Sequence, residues 1–461
     1  MKNPTYNAHH TVEFIVHNGL CTQCGFCKSV CPAQAIVMKE AGKQGEIFPA
    51  IDPNTCIMCS LCRKVCPGES VDFDALYKSY LGVEHYKKYL GHVDEAYLGY
   101  ATDYQHRYDS ASGGVLTTLA AFAVEHRYLD YVLCARATAH DPFHSETILT
   151  DNPEELKICK GSIYFPVPLG EGIDLLIKNH VSPEAKLGII GLPCHTHAAL
   201  KLQAIDHYKH YTWTFIFGLF CGGTFTYTAT NKLITQLGER RNDITSWAFR
   251  GEGWPGRIHY TLRNGQKKSL KRQQLGIFET LRRSTLFKGY SFNSPHRCFT
   301  CSDGLAELAD ISFGDPWLKS QKNETVGKTL IIARTKNAIE LLQKAERANV
   351  VKLTPLTPQM VLVAQKGMLV VKKNYIVFNH IVRWLKKRAV PSYNYSWQTL
   401  HKSPKILYLF AFIAYFNHLL GRSCNYLPIH IILGGVHAIV GFLVKKKFLT
   451  LTDEDDQSYF T

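Results

Sequence analysis

Cys21-Thr22-Gln23-Cys24-Gly25-Phe26-Cys27-Lys28-Ser29-Val30-Cys31-Pro32 and Cys56-Ile57-Met58-Cys59-Ser60-Leu61-Cys62-Arg63-Lys64-Val65-Cys66-Pro67 are two copies of one pattern, C-x2-C-x2-C-x3-C-P. Each cysteine of the second run lies 35 residues after its counterpart, which marks an internal duplication. Two-residue gaps let a tight loop aim three thiolates at three corners of one iron–sulfur cube, and the fourth cysteine reaches the cube held by the other run. The spacing therefore assigns Cys21, Cys24, Cys27 and Cys66 to one [4Fe–4S] cluster, and Cys56, Cys59, Cys62 and Cys31 to a second. Zinc, the alternative, takes its four ligands as two pairs and not as three plus one crossed over.

This stretch, about Glu13 to Asp74, resembles the bacterial two-cluster ferredoxins. Around it, 461 residues at roughly 150 per domain imply about three domains. Hydrophobic residues at 46% and charged residues at 20% exclude wholesale disorder. Met1 to Asn18 lacks the basic start, apolar stretch and small-residue cleavage site of an export signal. Fifteen cysteines in a reducing cytosol point to metal before disulfides, so a cytoplasmic location is expected.

Further along, Ser110-Ala111-Ser112-Gly113-Gly114-Val115 precedes a helical pattern for which Ser112 is the expected N-cap. A Gly-Gly pair at a helix start also lets backbone N–H groups approach a phosphate, although Ser-Gly-Gly before a helix is more often a plain cap. Tyr131 to Ala135, Lys186 to Gly191 and Trp213 to Phe220 read as buried strands of a mostly parallel sheet. Cys194 and Cys221 lie just past the carboxyl ends of the last two, at the edge where open α/β sheets place their sites. Cys298 and Cys301 add a C-x2-C pair, so these four thiolates suffice for a third cluster. Cys134, Cys159 and Cys424 read as small buried apolar residues. Asn264-Gly265, between Ile258–Leu262 and Lys267–Leu270, reads as a type I′ hairpin turn. Trp254-Pro255-Gly256 reads as a rigid turn, with a cover over a flavin as the alternative.

Ser112-Gly113-Gly114-Val115, Gly161-Ser162-Ile163-Tyr164, Gly191-Leu192-Pro193-Cys194, Gly218-Leu219-Phe220-Cys221 and Arg297-Cys298 through Ala309-Asp310-Ile311-Ser312 stand in the order of a known family. Over about Ala101 to Gln365 they resemble the coenzyme F-420 hydrogenase/dehydrogenase β-subunit family. The resemblance implies FAD near Ser112, Gly113 and Gly114 and near Lys160, Gly161, Ser162 and Tyr164. It also implies a [4Fe–4S] cluster on Cys194, Cys221, Cys298 and Cys301. A bare hydrogenase β-subunit lacks the fused two-cluster module, and relatives act on different molecules. The organic substrate therefore stays open among an F-420-type deazaflavin, a tetrapyrrole and a polysaccharide-pathway intermediate.

The expected architecture is α+β. A two-cluster ferredoxin-like module (1–76) precedes a mixed α/β flavin-binding domain with N-terminal-type (77–285) and C-terminal-type (286–380) regions, then a helical basic tail (381–461). The expected activity is that of an iron–sulfur flavoprotein oxidoreductase, exchanging a hydride with the substrate and single electrons with a redox partner protein or small-molecule donor. The alternative is a subunit relaying electrons to a separate catalytic partner. His195 and His197, close to Cys194, are the weak candidates for proton donation, against a reading as surface residues.

From Arg347 to Thr452 the chain carries fifteen Lys and Arg and no Asp or Glu, which accounts for its whole +15 net charge. A nucleic-acid enzyme carries such a surface on its chemical domain, so nucleic acid is not an expected partner. The apolar stretches Ile406 to Phe416 and Leu427 to Val444 fall short of a clean spanning helix of about 20 apolar residues. Residues 403–451 instead suit peripheral contact with the inner face of the membrane, with packing on the protein or a partner subunit as the alternative.

Overall fold

A computed structural model of the chain describes residues 6–41, 45–84, 87, 89–138, 140–271, 294–385 and 387–394. Cys424 and the expected membrane-contact segment 403–451 lie outside the described residues.

In the N-terminal module β1 (Ile36–Ala41) and β2 (Glu46–Ile51) pair antiparallel, and β3 (Ser70–Asp72) follows the second cysteine run. Next come β4 (Glu95–Ala101), β5 (Tyr131–Ala137), β6 (Ser145–Thr150), β7 (Leu187–Gly191) and β8 (Trp213–Leu219). A small antiparallel sheet holds β9 (Ile244–Ala248), β10 (Arg257–Leu262) and β11 (Lys267–Lys271). Then follow β12 (Ile311–Gly314), β13 (Thr329–Ala333), β14 (Val351–Leu356) and β15 (Ser392–Asn394).

The main sheet has eight strands in the order β14-β4-β13-β12-β8-β7-β5-β6. Only its centre is parallel: β5 with β7, β7 with β8, and β8 with β12. Both flanks are antiparallel. The expected mostly parallel sheet is therefore a mixed one. All five residues of β7 and of β13 are buried, the pattern of strands covered on both faces.

Alternation along β5 divides the two cores. Val132 and Cys134 face the helices Val115–Glu125 and Lys336–Arg347. Leu133 faces the other side, where the helix Pro193–Leu202 lies. Phe26, Val30, Val65, Val71, Phe73 and Tyr77 of the N-terminal module share that second core. Burying each of the two phenylalanines contributes about 1.5–3 kcal/mol, so the module is fused to the sheet and not loosely tethered.

Two local expectations are corrected. Ser112 does not cap its helix: Gly114, in the left-handed region at φ 75°, is the N-cap, and the Ser112 hydroxyl donates to the Lys328 carbonyl at 2.6 Å. The β10–β11 turn is not type I′, since that turn needs positive φ at both central residues and Gly265 alone has it. Gly265 N–H bonds to Leu262 O and Leu262 N–H to Gln266 O, which makes a three-residue loop with its glycine in the left-handed position.

Beyond β14, helices Pro358–Leu369 and Ile376–Leu385 are joined through a π turn, Val370–Tyr375, and run past residue 380 without a break. β15 then pairs parallel with β3, so the chain returns to the cysteine-rich module. Lys372, Lys373 and Arg383, counted among the basic residues of the tail, are buried here. Three of those fifteen charges thus serve the interior and not a surface.

Candidate iron–sulfur and cofactor site

The two cysteine runs interleave. Burial pushes the Cys21 thiol up, and Cys66 and Cys24 raise it further. Cys27 is pushed up by burial and then by Cys24, Cys21 and Cys66. Cys21, Cys24, Cys27 and Cys66 line one cavity together with Val12, Ile15 and Met38. Cys62 is pushed up to about 11 by burial, with Cys59, Cys31 and Cys56 adding to it. The fourth cysteine of each run thus stands with the first three of the other. Backbone N–H groups point at sulfur at Cys21, Cys31 and Cys66, at 3.3–3.4 Å, and such donors stabilise a thiolate bound to iron.

Cys194 opens the helix after β7, and Cys221 follows β8. Cys298 lies in the single turn His296–Thr300, and Cys301 caps its end. The fold brings these four together: burial raises the Cys194 thiol, and Cys24, Cys221, Cys301 and Cys298 raise it further. Lys372 stands beside them, with Nζ 3.3 Å from the Cys298 carbonyl. Burial opposes its charge, but Cys301, Cys221, Cys298 and Asp303 outweigh burial and hold its pKa above the ordinary lysine value.

Among the described residues no group of three or more His, Cys, Asp or Glu side chains is arranged to hold a single metal ion. Four thiols around a cavity, as Cys21, Cys24, Cys27 and Cys66 stand, suit the larger iron–sulfur cube better than one zinc ion, whose sulfurs stand only about 2.3 Å from the metal.

Of the thiols that raise Cys194, Cys24 acts most strongly, so the first thiol set lies beside the Cys194 set. The junction is held by hydrogen bonds to main-chain carbonyls. Gly170 N–H donates to Cys24 O at 2.7 Å, and the Ser29 hydroxyl to Gly170 O at 2.8 Å. Lys201 Nζ donates to Cys66 O at 2.6 Å, and Arg297 Nε to Gly68 O at 2.8 Å. Lys201 and Arg297 also place positive charge beside the Cys66 thiol and lower it, against burial, which takes it to about 12.

The positions implied for FAD also converge. The Ser112–Gly114 turn lies where β4 ends and β13 begins, and Gly113 N–H donates to Thr329 Oγ1 at 2.9 Å. Ala111 N–H donates to Lys160 O, and Lys160 Nζ pairs with Asp109 at 3.1 Å, which binds the two segments together. Gly161 faces open space, and Ser162 is half-buried. Tyr164 packs edge-on against Phe249 and bonds with Arg250. Since Gly113 N–H is already used, any phosphate would rely on the first free N–H groups of the helix Val115–Glu125 and on Lys160.

His195 and His197 are both buried, so neither is a surface residue. His195 Nδ1 accepts from Leu192 N–H at 3.1 Å and Nε2 bonds the Val167 carbonyl at 3.0 Å, which occupies both nitrogens. Burial takes its pKa down to about 4 and keeps the ring neutral. His197 Nε2 lies 2.9 Å from Asp303 Oδ2.

Sequence reasoning missed the pair Arg250–Asp315. Asp315 follows β12 and holds Arg250 through two bonds, at 2.6 and 2.9 Å, while accepting from Trp254 Nε1 at 3.0 Å. Trp254 lies against Trp317, and its N–H donates to Thr325 O, so the Trp254-Pro255-Gly256 turn borders the Ser112 turn. The glycine-rich run Arg250-Gly251-Glu252-Gly253 was the available signal.

The chain belongs to the coenzyme F420 hydrogenase/dehydrogenase beta-subunit family. Residues 96–174 match the family's N-terminal part and residues 184–359 its C-terminal part, while residues 20–70 match a 4Fe-4S dicluster domain. It is an iron–sulfur oxidoreductase related to the following proteins. It is 24% identical to a coenzyme F420 hydrogenase subunit beta of Methanococcus voltae, over 55% of this chain and 90% of that protein. It is also 24% identical to a coenzyme F420-dependent sulfite reductase of Methanocaldococcus jannaschii, over 74% of this chain but only 49% of that protein. A chain of the F420-reducing [NiFe] hydrogenase complex from Methanosarcina barkeri shares the fold, with a TM-score of 0.51 and 18% identity over 66% of this chain and 98% of that one. No helix among the described residues is long and apolar enough to cross a membrane.

Proposed function

We propose that the chain is an iron–sulfur flavoprotein that oxidises or reduces an organic molecule, an F-420-type deazaflavin by analogy with its relatives. FAD, when bound, supplies exchange between a hydride and single electrons, and the clusters supply one-electron storage. Ser112–Gly114, Lys160, Gly161, Ser162 and Tyr164 would hold the flavin. Cys194, Cys221, Cys298 and Cys301 would hold the third cluster, and the two N-terminal sets the others. The observation that carries this reading is the packing of the Cys24 loop on the sheet side, where Gly170 N–H donates to Cys24 O at 2.7 Å and Lys201, on the helix that Cys194 opens, donates to Cys66 O at 2.6 Å. Cys59 is exposed, as is Ile57 at 64%, so the far end of the N-terminal module offers contact to a redox partner. A subunit that only relays electrons is the second reading, favoured by the relative named as a hydrogenase subunit.

Anaerobic purification with cofactor analysis separates the two. A flavin enzyme yields FAD and about twelve irons per chain, from three four-iron cubes. A relay subunit yields iron without FAD. Replacing Cys298 with Ala should remove about four irons and leave FAD in place; unchanged iron rejects the third cluster. A colourless or zinc-loaded preparation overturns the whole reading.

The tail carries a separate expectation. Deleting residues 403–451 should move the protein from the membrane to the soluble fraction. An intact chain found wholly in the soluble fraction at low salt removes the case for membrane contact.

A further inference from the structure

Cys134 and Cys159 belong to none of the three thiol sets. Cys134 is buried in the middle of β5, and Cys159 is half-buried as the C-cap of the helix Pro153–Ile158. Their sulfurs are 3.8 Å apart. Cys159 Sγ also lies 3.4 Å from the Glu155 carbonyl, which fixes its direction. Arg136, two residues after Cys134, pairs with Glu146 at 2.6 Å and Glu155 at 3.6 Å and sits beside the two thiols. The hydrogen bond from Cys134 lowers the Cys159 thiol, Arg136 lowers it further, and burial opposes both. Cys159, half-buried at the helix end, is therefore the sulfur nearer the surface, and Cys134, inside the sheet, is the sheltered one. This is the arrangement of an attacking and a resolving cysteine.

We propose that Cys134 and Cys159 are a redox modification site, closed to a disulfide by exchange with a low-molecular-mass disulfide. The Cys159 thiolate attacks one sulfur of the reagent, forming a mixed disulfide and releasing one thiol. Cys134 then loses its proton and attacks the Cys159 sulfur, releasing the second thiol. Two protein thiols are oxidised and one reagent disulfide is reduced to two thiols, so electrons and protons balance. The sulfurs move together by roughly 1.7 Å, to the bonded distance of about 2.05 Å. Cys159 directly precedes Lys160-Gly161-Ser162-Ile163-Tyr164, so the bond would tether the start of this loop to β5. If the loop binds flavin, as proposed above, the disulfide changes flavin retention.

The test uses the full-length holoprotein, kept anaerobic and treated with oxidised glutathione. Accessible thiols are then blocked and the protein is mapped by mass spectrometry without reduction. The expected result is a peptide joining Cys134 to Cys159, reversed by dithiothreitol, with iron content unchanged. With Cys134→Ser, glutathione should remain trapped on Cys159. An unlinked pair in protein that retains its iron overturns the proposal, as does a wild-type glutathione adduct on Cys159 that never resolves. Equal flavin dissociation before and after linkage overturns the tethering effect. A preparation that forms the bond but never contains flavin overturns the flavin reading and leaves the thiol site intact.

Discussion

Gly170→Ala is expected to destabilise the protein by about 3 kcal/mol or more and to strip iron from the N-terminal module. A Cβ built on Gly170 would stand 2.2 Å from Phe26 N, 2.4 Å from Phe26 Cδ2 and 2.5 Å from Phe26 Cα. Two of these are backbone atoms, which do not swing aside as a side-chain tip does. Gly170 also receives the Ser29 hydroxyl and donates its N–H to Cys24 O, so the loop cannot retreat without losing both bonds. Overpacking of a rigid contact costs about 1–3 kcal/mol, and the broken hydrogen bonds add to it. Gly161→Ala is the control, because nothing lies within 4 Å of its Cβ and a surface change of this kind costs about 0.5 kcal/mol or less. Anaerobic urea unfolding followed by circular dichroism, with iron assayed beside it, reads both variants. Equal midpoints for the two would show that the cysteine loop does not rest on Gly170.

Lys373→Met is expected to cost about 3–5 kcal/mol at pH 9, where Glu307 has lost the cation that balances its buried carboxylate, and less at pH 6, where the Glu307 carboxyl is protonated. Lys373 Nζ and Glu307 Oε1 are 2.5 Å apart, and both side chains are fully buried. Burial raises the Glu307 pKa from 4.5 to about 8, and the neighbouring Asp303 raises it too, against the pull of Lys373. An acid raised on folding binds more protons in the folded state. Its contribution to stability is therefore complete below the unfolded value near 4.5 and is lost as pH rises through about 8. Without Lys373 the carboxyl group is pushed higher still, so the variant should suffer more at pH 9 than at pH 6. The double change Lys373→Met with Glu307→Gln should recover most of the loss and flatten that difference. Urea unfolding at the two pH values measures it, and a penalty independent of pH would rule out a stranded carboxylate as the cause.

The cysteine runs were legible because iron–sulfur ligation is written in short spacings, two and three residues apart, that a loop must satisfy locally. That Cys194 and Cys221 follow neighbouring strands was legible for a related reason: apolar runs mark strands, and β7 and β8 are parallel neighbours. Lys372 and Lys373 were misjudged, since a lysine pair in a basic segment carries no mark of burial. Only the fold shows that their partners are Cys298 O and Glu307, more than 60 residues away. Arg250 and Asp315 are likewise 65 residues apart. The misplaced cap at Ser112 has a tertiary cause, because its hydroxyl is drawn to Lys328, 216 residues on. Cys134 and Cys159 do pack on the apolar core, as expected, but nothing in their spacing reveals that one helix end drops onto β5 and brings their sulfurs together.

Local order in the chain thus dictated the cysteine loops, the apolar strands and the helix faces, since each depends on neighbours within a few residues. Tertiary packing alone decided that Cys134 meets Cys159, which lysines lose their water and where β15 returns to β3. Those outcomes turn on contacts between distant segments, where burial makes a charge need a partner and a glycine admit a neighbouring backbone.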